Sequence, residues 1–132
     1  MFRLGTDIVY IPRIGEAIAR FGDRFLQRVY TPTEQVDCGW GKSPTQAAIN
    51  KLAGRWAAKE AVVKALGTGW RGVGYTDVEI CRLPSGAPSV QLHGRAMALM
   101  GQQKQVQWQL SLSHDGDYAI ATVLLIDIDT NL

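Results

Sequence analysis

Arg55-Trp56-Ala57-Ala58-Lys59-Glu60-Ala61-Val62-Val63-Lys64-Ala65-Leu66-Gly67-Thr68-Gly69 is the stretch around which the rest of the chain organises. At about 100° per residue, Glu60 and Lys64 fall roughly 40° apart on one face of a helix, and Arg55 and Lys59 pair likewise on a neighbouring face. Ala58, Ala61, Val62, Ala65 and Leu66 form a core stripe, and Trp56 and Val63 occupy much of the surface between the charged pairs. Little freely solvated face is left. Two readings of the charges follow. Glu60 and Lys64 are either an ordinary i,i+4 pair worth roughly 0.3 to 0.5 kcal/mol, or partly buried ions whose desolvation demands a metal, a phosphate or another strong partner.

Working outward, Pro44 opens this helix behind Ser43-Pro44-Thr45-Gln46, a hydroxyl cap followed by proline, and Gly67 ends it. Thr31-Pro32-Thr33-Glu34 carries the same start signature, with a carboxylate three residues after the cap. Ile14, Ile18, Phe21 and Phe25 recur at helical steps with Gly22 as a break, and residues 3 to 11 before them read as a first strand. Downstream, Thr76 to Leu83 and Ser89 to Leu92 flank a Pro-Ser-Gly-Ala-Pro turn as a hairpin, and residues 94 to 103 are helix-prone. Val106 to Ser113 and Tyr118 to Ile126 then flank Asp115-Gly116-Asp117. Strand, helices, two strands, helix, two strands is not the alternation of a doubly wound sheet, so the fold class is α+β.

The 132 residues make one domain, 1–132, and 46% apolar content supplies a modest core. A net charge of +2 without Lys/Arg blocks gives no support for nucleic-acid binding. Cys38 and Cys81 have no neighbouring Cys or His, so both read as free thiols of a reducing cytosol. The first residues carry no apolar leader, and the hydrophobic run from Tyr118 to Ile126 is too short to span a bilayer. A cytoplasmic protein without membrane attachment is expected.

Asp7 lies in the first strand among aliphatic residues, where a carboxylate needs a partner. One answer is a hard cation, since magnesium is held by one or two carboxylates together with substrate phosphates, and Glu60 is the natural second ligand. Gly67-Thr68-Gly69-Trp70-Arg71-Gly72 matches GxGxxG but follows a helix instead of opening one, so a dinucleotide fingerprint fails on context. Its glycines suit a helix C-cap, or a close approach of backbone to a nucleotide just beyond Lys64. Ser113 and His114 point to opposite faces of a strand, which sets a Ser/His/Asp triad aside. His93 gives no functional signal. Arg13, Arg20 and Arg24 line one face of the first helical segment, either as its solvated side or as a docking surface for an acidic protein.

Taken together these blocks resemble the holo-acyl-carrier-protein synthases, the small type of 4'-phosphopantetheinyl transferase. Gly5-Thr6-Asp7-Ile8 is similar to the family's opening motif, Arg24 to Glu34 to its second block, Arg55 to Gly69 to its signature, and Ser111 to Ala121 to its closing Ser-x-Ser-His block. They occur in family order over nearly the whole chain. The resemblance implies a small, mostly antiparallel sheet wrapped around a long central helix, and transfer of 4'-phosphopantetheine from coenzyme A to a serine of apo acyl carrier protein. It implies that Asp7 and Glu60 bind magnesium, with Glu60 and Lys64 as catalytic residues and Lys64 on the coenzyme A pyrophosphate. Arg55, Lys59, Gly67, Gly69 and His114 would lie around coenzyme A, His114 near its 3'-phosphate, and Arg13, Arg20 and Arg24 would meet the carrier.

Relatives of this type form homotrimers with active sites at subunit interfaces, so Asp7 and Glu60 need not come from one chain. The resemblance leaves the base for the serine proton open among Glu60, Lys64 and a metal-bound water. Two departures stand out. Tyr10 occupies a position that is acidic in many relatives, which puts any support of the metal from there in doubt, and Trp56 replaces the usual Phe.

Overall fold

The computed structural model describes residues 1–41, 44–100 and 106–127. Strand β1 (Phe2–Tyr10) leads into helices α1 (Ile11–Phe21), α2 (Asp23–Val29) and α3 (Pro32–Asp37), then the long helix α4 (Gln46–Leu66). A single 3-10 turn, Tyr75–Asp77, precedes the strands β2 (Val78–Arg82) and β3 (Pro88–Leu92). Helix α5 (Gly94–Met100), β4 (Val106–Asp115) and β5 (Tyr118–Asp127) complete the order. The strands form an antiparallel sheet in the order β1-β5-β4 and a separate β2-β3 hairpin lying beside β4. The α+β class holds, with the larger sheet packed on α4.

Local chemistry sets most of these boundaries. Thr31 and Glu34 close a reciprocal capping box at the start of α3. The chain turns at Gly22, the expected break, which separates α1 from α2. Thr45 caps α4 by accepting from the Ala48 amide, so the helix starts two residues later than the Pro44 signature suggests. The expected Ser43 cap lies outside the described residues, as do positions 101–103 of the helix expected after His93. Gly67 adopts φ 81°, the left-handed conformation that lets the chain leave α4.

α4 is about 32 Å long and is buried nearly all round: Ala57, Ala58, Lys59, Ala61, Val62, Val63, Ala65 and Leu66 are all in the interior. The sheet meets it with small residues, Ala119 and Ala121 on β5 and Gly5 on β1. Gly5 is required there, because a Cβ at this position would sit 1.9 Å from the carbonyl oxygen of Ala61. Arg3 adds a tie from β1 to the helix end, donating to Leu66 O at 3.1 Å. β1 therefore lies flush along the C-terminal half of α4.

Strand alternation has an unexpected result. Gly5, Asp7 and Val9 face the helix, so the aliphatic residues flanking Asp7 point the other way, leaving Phe2 71%, Leu4 68% and Ile8 62% exposed. Tyr10, Tyr118 and Ile120 join them on that outer face. Phe21, expected in the core stripe of the first helix, is also exposed. No helix among the described residues is long and apolar enough to cross a membrane.

Candidate active site

The close packing of β1 on α4 brings Asp7 to Lys64. The Lys64 ammonium donates to the Asp7 carboxylate and to the Thr6 carbonyl, at 3.0 Å each. Side-chain exposure is 52% for Lys64 and 17% for Asp7, so the pair sits at the rim of the interior and reaches solvent. Lys64 therefore turns to Asp7 and not to Glu60, and the simple i,i+4 pair does not form. Glu60, one helical turn earlier and half-buried, is held instead by the Trp70 indole N–H, which donates to Oε1 at 3.1 Å. Asp7, Glu60 and Lys64 thus share one end of α4 within a single chain.

The donors present suit a hard cation. Two carboxylates with no thiolate or imidazole beside them match a magnesium ion that takes its remaining ligands from phosphate and water. Among the described residues no group of three or more His, Cys, Asp or Glu gathers as a metal cage. Tyr10 points to the opposite sheet face from Asp7 and packs its ring against Tyr118 at 5.3 Å, so the departure from the acidic pattern lies away from these carboxylates.

Lys59 requires a correction. Expected around a coenzyme, it is fully buried, ion-paired with Glu34 at 2.8 Å and donating to Tyr75 O at 2.9 Å and Val78 O at 2.5 Å. Those three acceptors use its three donors. Burial pulls its pKa below the ordinary lysine value, and the Glu34 carboxylate opposes that. Glu34 in turn accepts from the amides of Thr31 and Ile80. This buried pair ties α3, α4 and β2 together and leaves Lys59 no atom for a ligand.

Gly67 and Gly69 follow Lys64 directly, but both amides bond back to Val63 O, at 3.1 and 3.2 Å, and so serve to close the helix. Arg55 lies at the other end of the site. With Lys51 and Arg82 it lines a basic cavity of about 370 Å³ between the hairpin and Leu110, Ser111 and Leu112 of β4. The buried Nε of Arg55 has no hydrogen-bond partner among the described residues. His114 is exposed at the end of the same strand. Since β1 and β4 are opposite edges of the sheet, the structure gathers Asp7, Glu60 and Lys64 at one edge and Arg55 and His114 at the other.

Arg13 and Arg20 are exposed on α1, and Arg24 is exposed on α2, so the expected single row is divided at Gly22. Arg24 and Arg28 rim an apolar pocket of about 460 Å³ formed with Phe21, Phe25, Val29, Trp56 and Tyr75. Trp56 stacks on Trp70, with ring centroids 5.8 Å apart and planes 6° from parallel. Trp70 and Glu34 are the important residues that spacing did not single out. Trp70 lay inside the failed glycine motif, and the capping signal of Glu34 concealed its pairing with Lys59.

Comparison with known proteins identifies the family and the fold. Residues 3–123 match the model of the 4'-phosphopantetheinyl transferase superfamily. The holo-[acyl-carrier-protein] synthase of Gloeobacter violaceus is 56% identical over 126 residues, covering 96% of this chain and 93% of that protein. The synthase of Koribacter versatilis is 45% identical over 124 residues, covering 93% and 96%. Among solved structures, the Chronobacterium ammoniagenes complex with CoA superposes with a TM-score of 0.78 at 35% identity, covering 95% of this chain and 96% of that one. The Helicobacter pylori synthase in complex with coenzyme A gives 0.78 at 34%, covering 93% and 99%. With the sheet, the central helix and all four sequence blocks in place, the chain belongs to the holo-acyl-carrier-protein synthase family of 4'-phosphopantetheinyl transferases.

Proposed function

We propose that Asp7, Glu60 and Lys64 form the reacting half of a phosphopantetheinyl transferase site, and that a neighbouring subunit completes it. The chain transfers 4'-phosphopantetheine from coenzyme A to a serine hydroxyl of apo acyl carrier protein. The observation that carries the assignment is the contact between Asp7 and Lys64, 57 positions apart in sequence, beside the helix turn that bears Glu60.

The serine oxygen attacks the β-phosphorus of the pyrophosphate. A new P–O bond forms, the bond to the bridging oxygen breaks, and adenosine 3',5'-bisphosphate leaves with the electron pair. Lys64, fixed as a donor by Thr6 O and Asp7, presents positive charge to the pyrophosphate and stabilises charge on the leaving phosphate. Its donor role argues against Lys64 as the group that accepts the serine proton. Asp7 and Glu60 would hold magnesium, which when bound would supply positive charge to neutralise the pyrophosphate.

Two features support a homotrimer. The outer sheet face carries Phe2, Leu4, Ile8, Tyr10, Tyr118 and Ile120 as one apolar surface, which favours burial against other copies. The basic cavity around Arg55 and the Asp7 edge lie on opposite sides of the sheet, so a ring of subunits would bring the cavity of one copy to the carboxylates of the next. Arg55, with Lys51 and Arg82, and His114 would then receive the 3'-phosphate end of coenzyme A. Gly67 and Gly69 would border it by proximity alone. Arg13, Arg20 and Arg24 would meet acidic groups of the carrier, and the pocket beside Arg24 would take its apolar contacts.

Incubation with apo carrier, coenzyme A and magnesium tests the activity. The carrier gains the mass of one phosphopantetheine. An unchanged carrier mass refutes the assignment, and release of phosphopantetheine without any carrier identifies a hydrolase instead.

A further inference from the structure

Trp70 stands just beyond the end of α4, on the loop that begins with Gly67. Its indole N–H donates to Glu60 Oε1 at 3.1 Å, and its ring is held on two sides. Trp56 stacks against it, and the Tyr75 ring meets it edge-on, with centroids 4.7 Å apart at 73°. Tyr75 also meets Trp56 edge-on at 5.4 Å. The carbonyl of Tyr75 is fixed by Lys59, the buried lysine of the interior pair. Trp70 is therefore no loose surface ring. It is an indole stacked on one ring and set at an angle against another, with its single donor spent on a carboxylate of the site.

We propose that Trp70 is a positioning residue that orients Glu60 for cation binding. A glutamate side chain has several rotatable bonds, and a half-exposed one samples many arrangements at an entropic cost to whatever binds it. The indole hydrogen bond fixes Oε1 and leaves Oε2 as the oxygen available to the cation. This is the ordinary task of a residue one shell out from a ligand, and loss of such a partner typically lowers metal affinity or activity by about 10- to 100-fold. The aromatic group also gives the site a mechanical link. Trp56 and Tyr75 line the apolar pocket beside Arg24 and Arg28, so the rings that steady Glu60 are also walls of the proposed carrier pocket. The inference rests on the reading of Glu60 as a cation ligand.

Direct titration with Mn²⁺ in the presence of coenzyme A, following free Mn²⁺ by electron paramagnetic resonance, provides a readout apart from turnover. Trp70→Phe keeps a ring for the stack and removes the N–H. It should bind Mn²⁺ about tenfold more weakly while its circular dichroism stays that of the parent protein. In a Glu60→Gln background, Trp70→Phe should add no further loss, because the group through which it acts is already changed. Parental Mn²⁺ affinity in Trp70→Phe overturns the proposal. An equal loss in both backgrounds also overturns it, since Trp70 would then act on the fold and not through Glu60. Parental affinity in Glu60→Gln alone removes the ligand assignment itself, and the positioning role with it. Should Trp70→Phe fail to fold, Trp70→Leu removes the same donor and is judged by the same outcomes.

Discussion

Lys59 and Lys64 leave the same helix little more than a turn apart, and each reaches a carboxylate, at 2.8 Å and 3.0 Å. By distance the two pairs are alike. They differ in surroundings, for Lys59 and Glu34 are both wholly buried and Lys59 has two carbonyl acceptors besides, whereas the Lys64 side chain is 52% exposed and Asp7 lies at the rim. A closed pair with every donor used can only hold structure together. An open pair at a helix end, beside a second carboxylate, is free to exchange one partner for a phosphate or a cation. Exposure and remaining valence separate the two roles, and ion-pair distance does not.

The comparison is tested most severely by exchanging the effects of the two lysines. Lys64→Ala should lower the rate of carrier modification by about 10²- to 10³-fold and change unfolding free energy by only about 0 to 1 kcal/mol, as exposed pairs do. Lys59→Ala should do the reverse. It leaves Glu34 buried without its counter-charge, at a cost of about 3 to 5 kcal/mol in a denaturant titration. If Lys59→Ala is as stable as the parent protein and fails only in binding coenzyme A, the division between the pairs is wrong.

Smaller effects sharpen the account elsewhere. Arg13→Ala should raise the KM for the carrier several-fold with little change in that for coenzyme A, because a rim arginine steers the acidic partner alone. Equal changes in both would remove its docking role. The thiols give the smallest signal. Burial is the main cause that pushes both Cys38 and Cys81 up to about 11, so at pH 8 only about one thiol in 10³ is ionised. Ellman's reagent should react slowly with the folded protein and quickly with the denatured one. Because these folded-state pKa values are raised, their contribution to stability is complete below the ordinary thiol pKa and is lost as pH climbs towards 11.

Much of the fold was legible where a signal is local. The Thr31 and Glu34 capping box, the break at Gly22, the left-handed Gly67 and both hairpins depend on residues within a few positions of one another. The site was legible only as a set of residue types. Asp7 was suspect as an acid in a strand, but its pairing with Lys64 depends on Gly5 letting β1 lie against the carbonyl of Ala61. Nothing in the spacing distinguished Lys59 from Lys64, since the partner of Lys59 comes from a separate helix and its other acceptors from the Tyr75–Asp77 turn and the start of β2. Trp70 was hidden for the same reason, because its bond to Glu60 forms only after the chain turns back past Gly67.

Glu60, at the open end of α4, is the carboxylate proposed to do the work of the site. The most direct test is the intact mass of apo carrier after incubation with coenzyme A, magnesium and Glu60→Gln protein whose circular dichroism matches the parent. The carrier should remain unmodified over a period in which the parent protein converts all of it. Complete conversion by the variant would contradict the assignment.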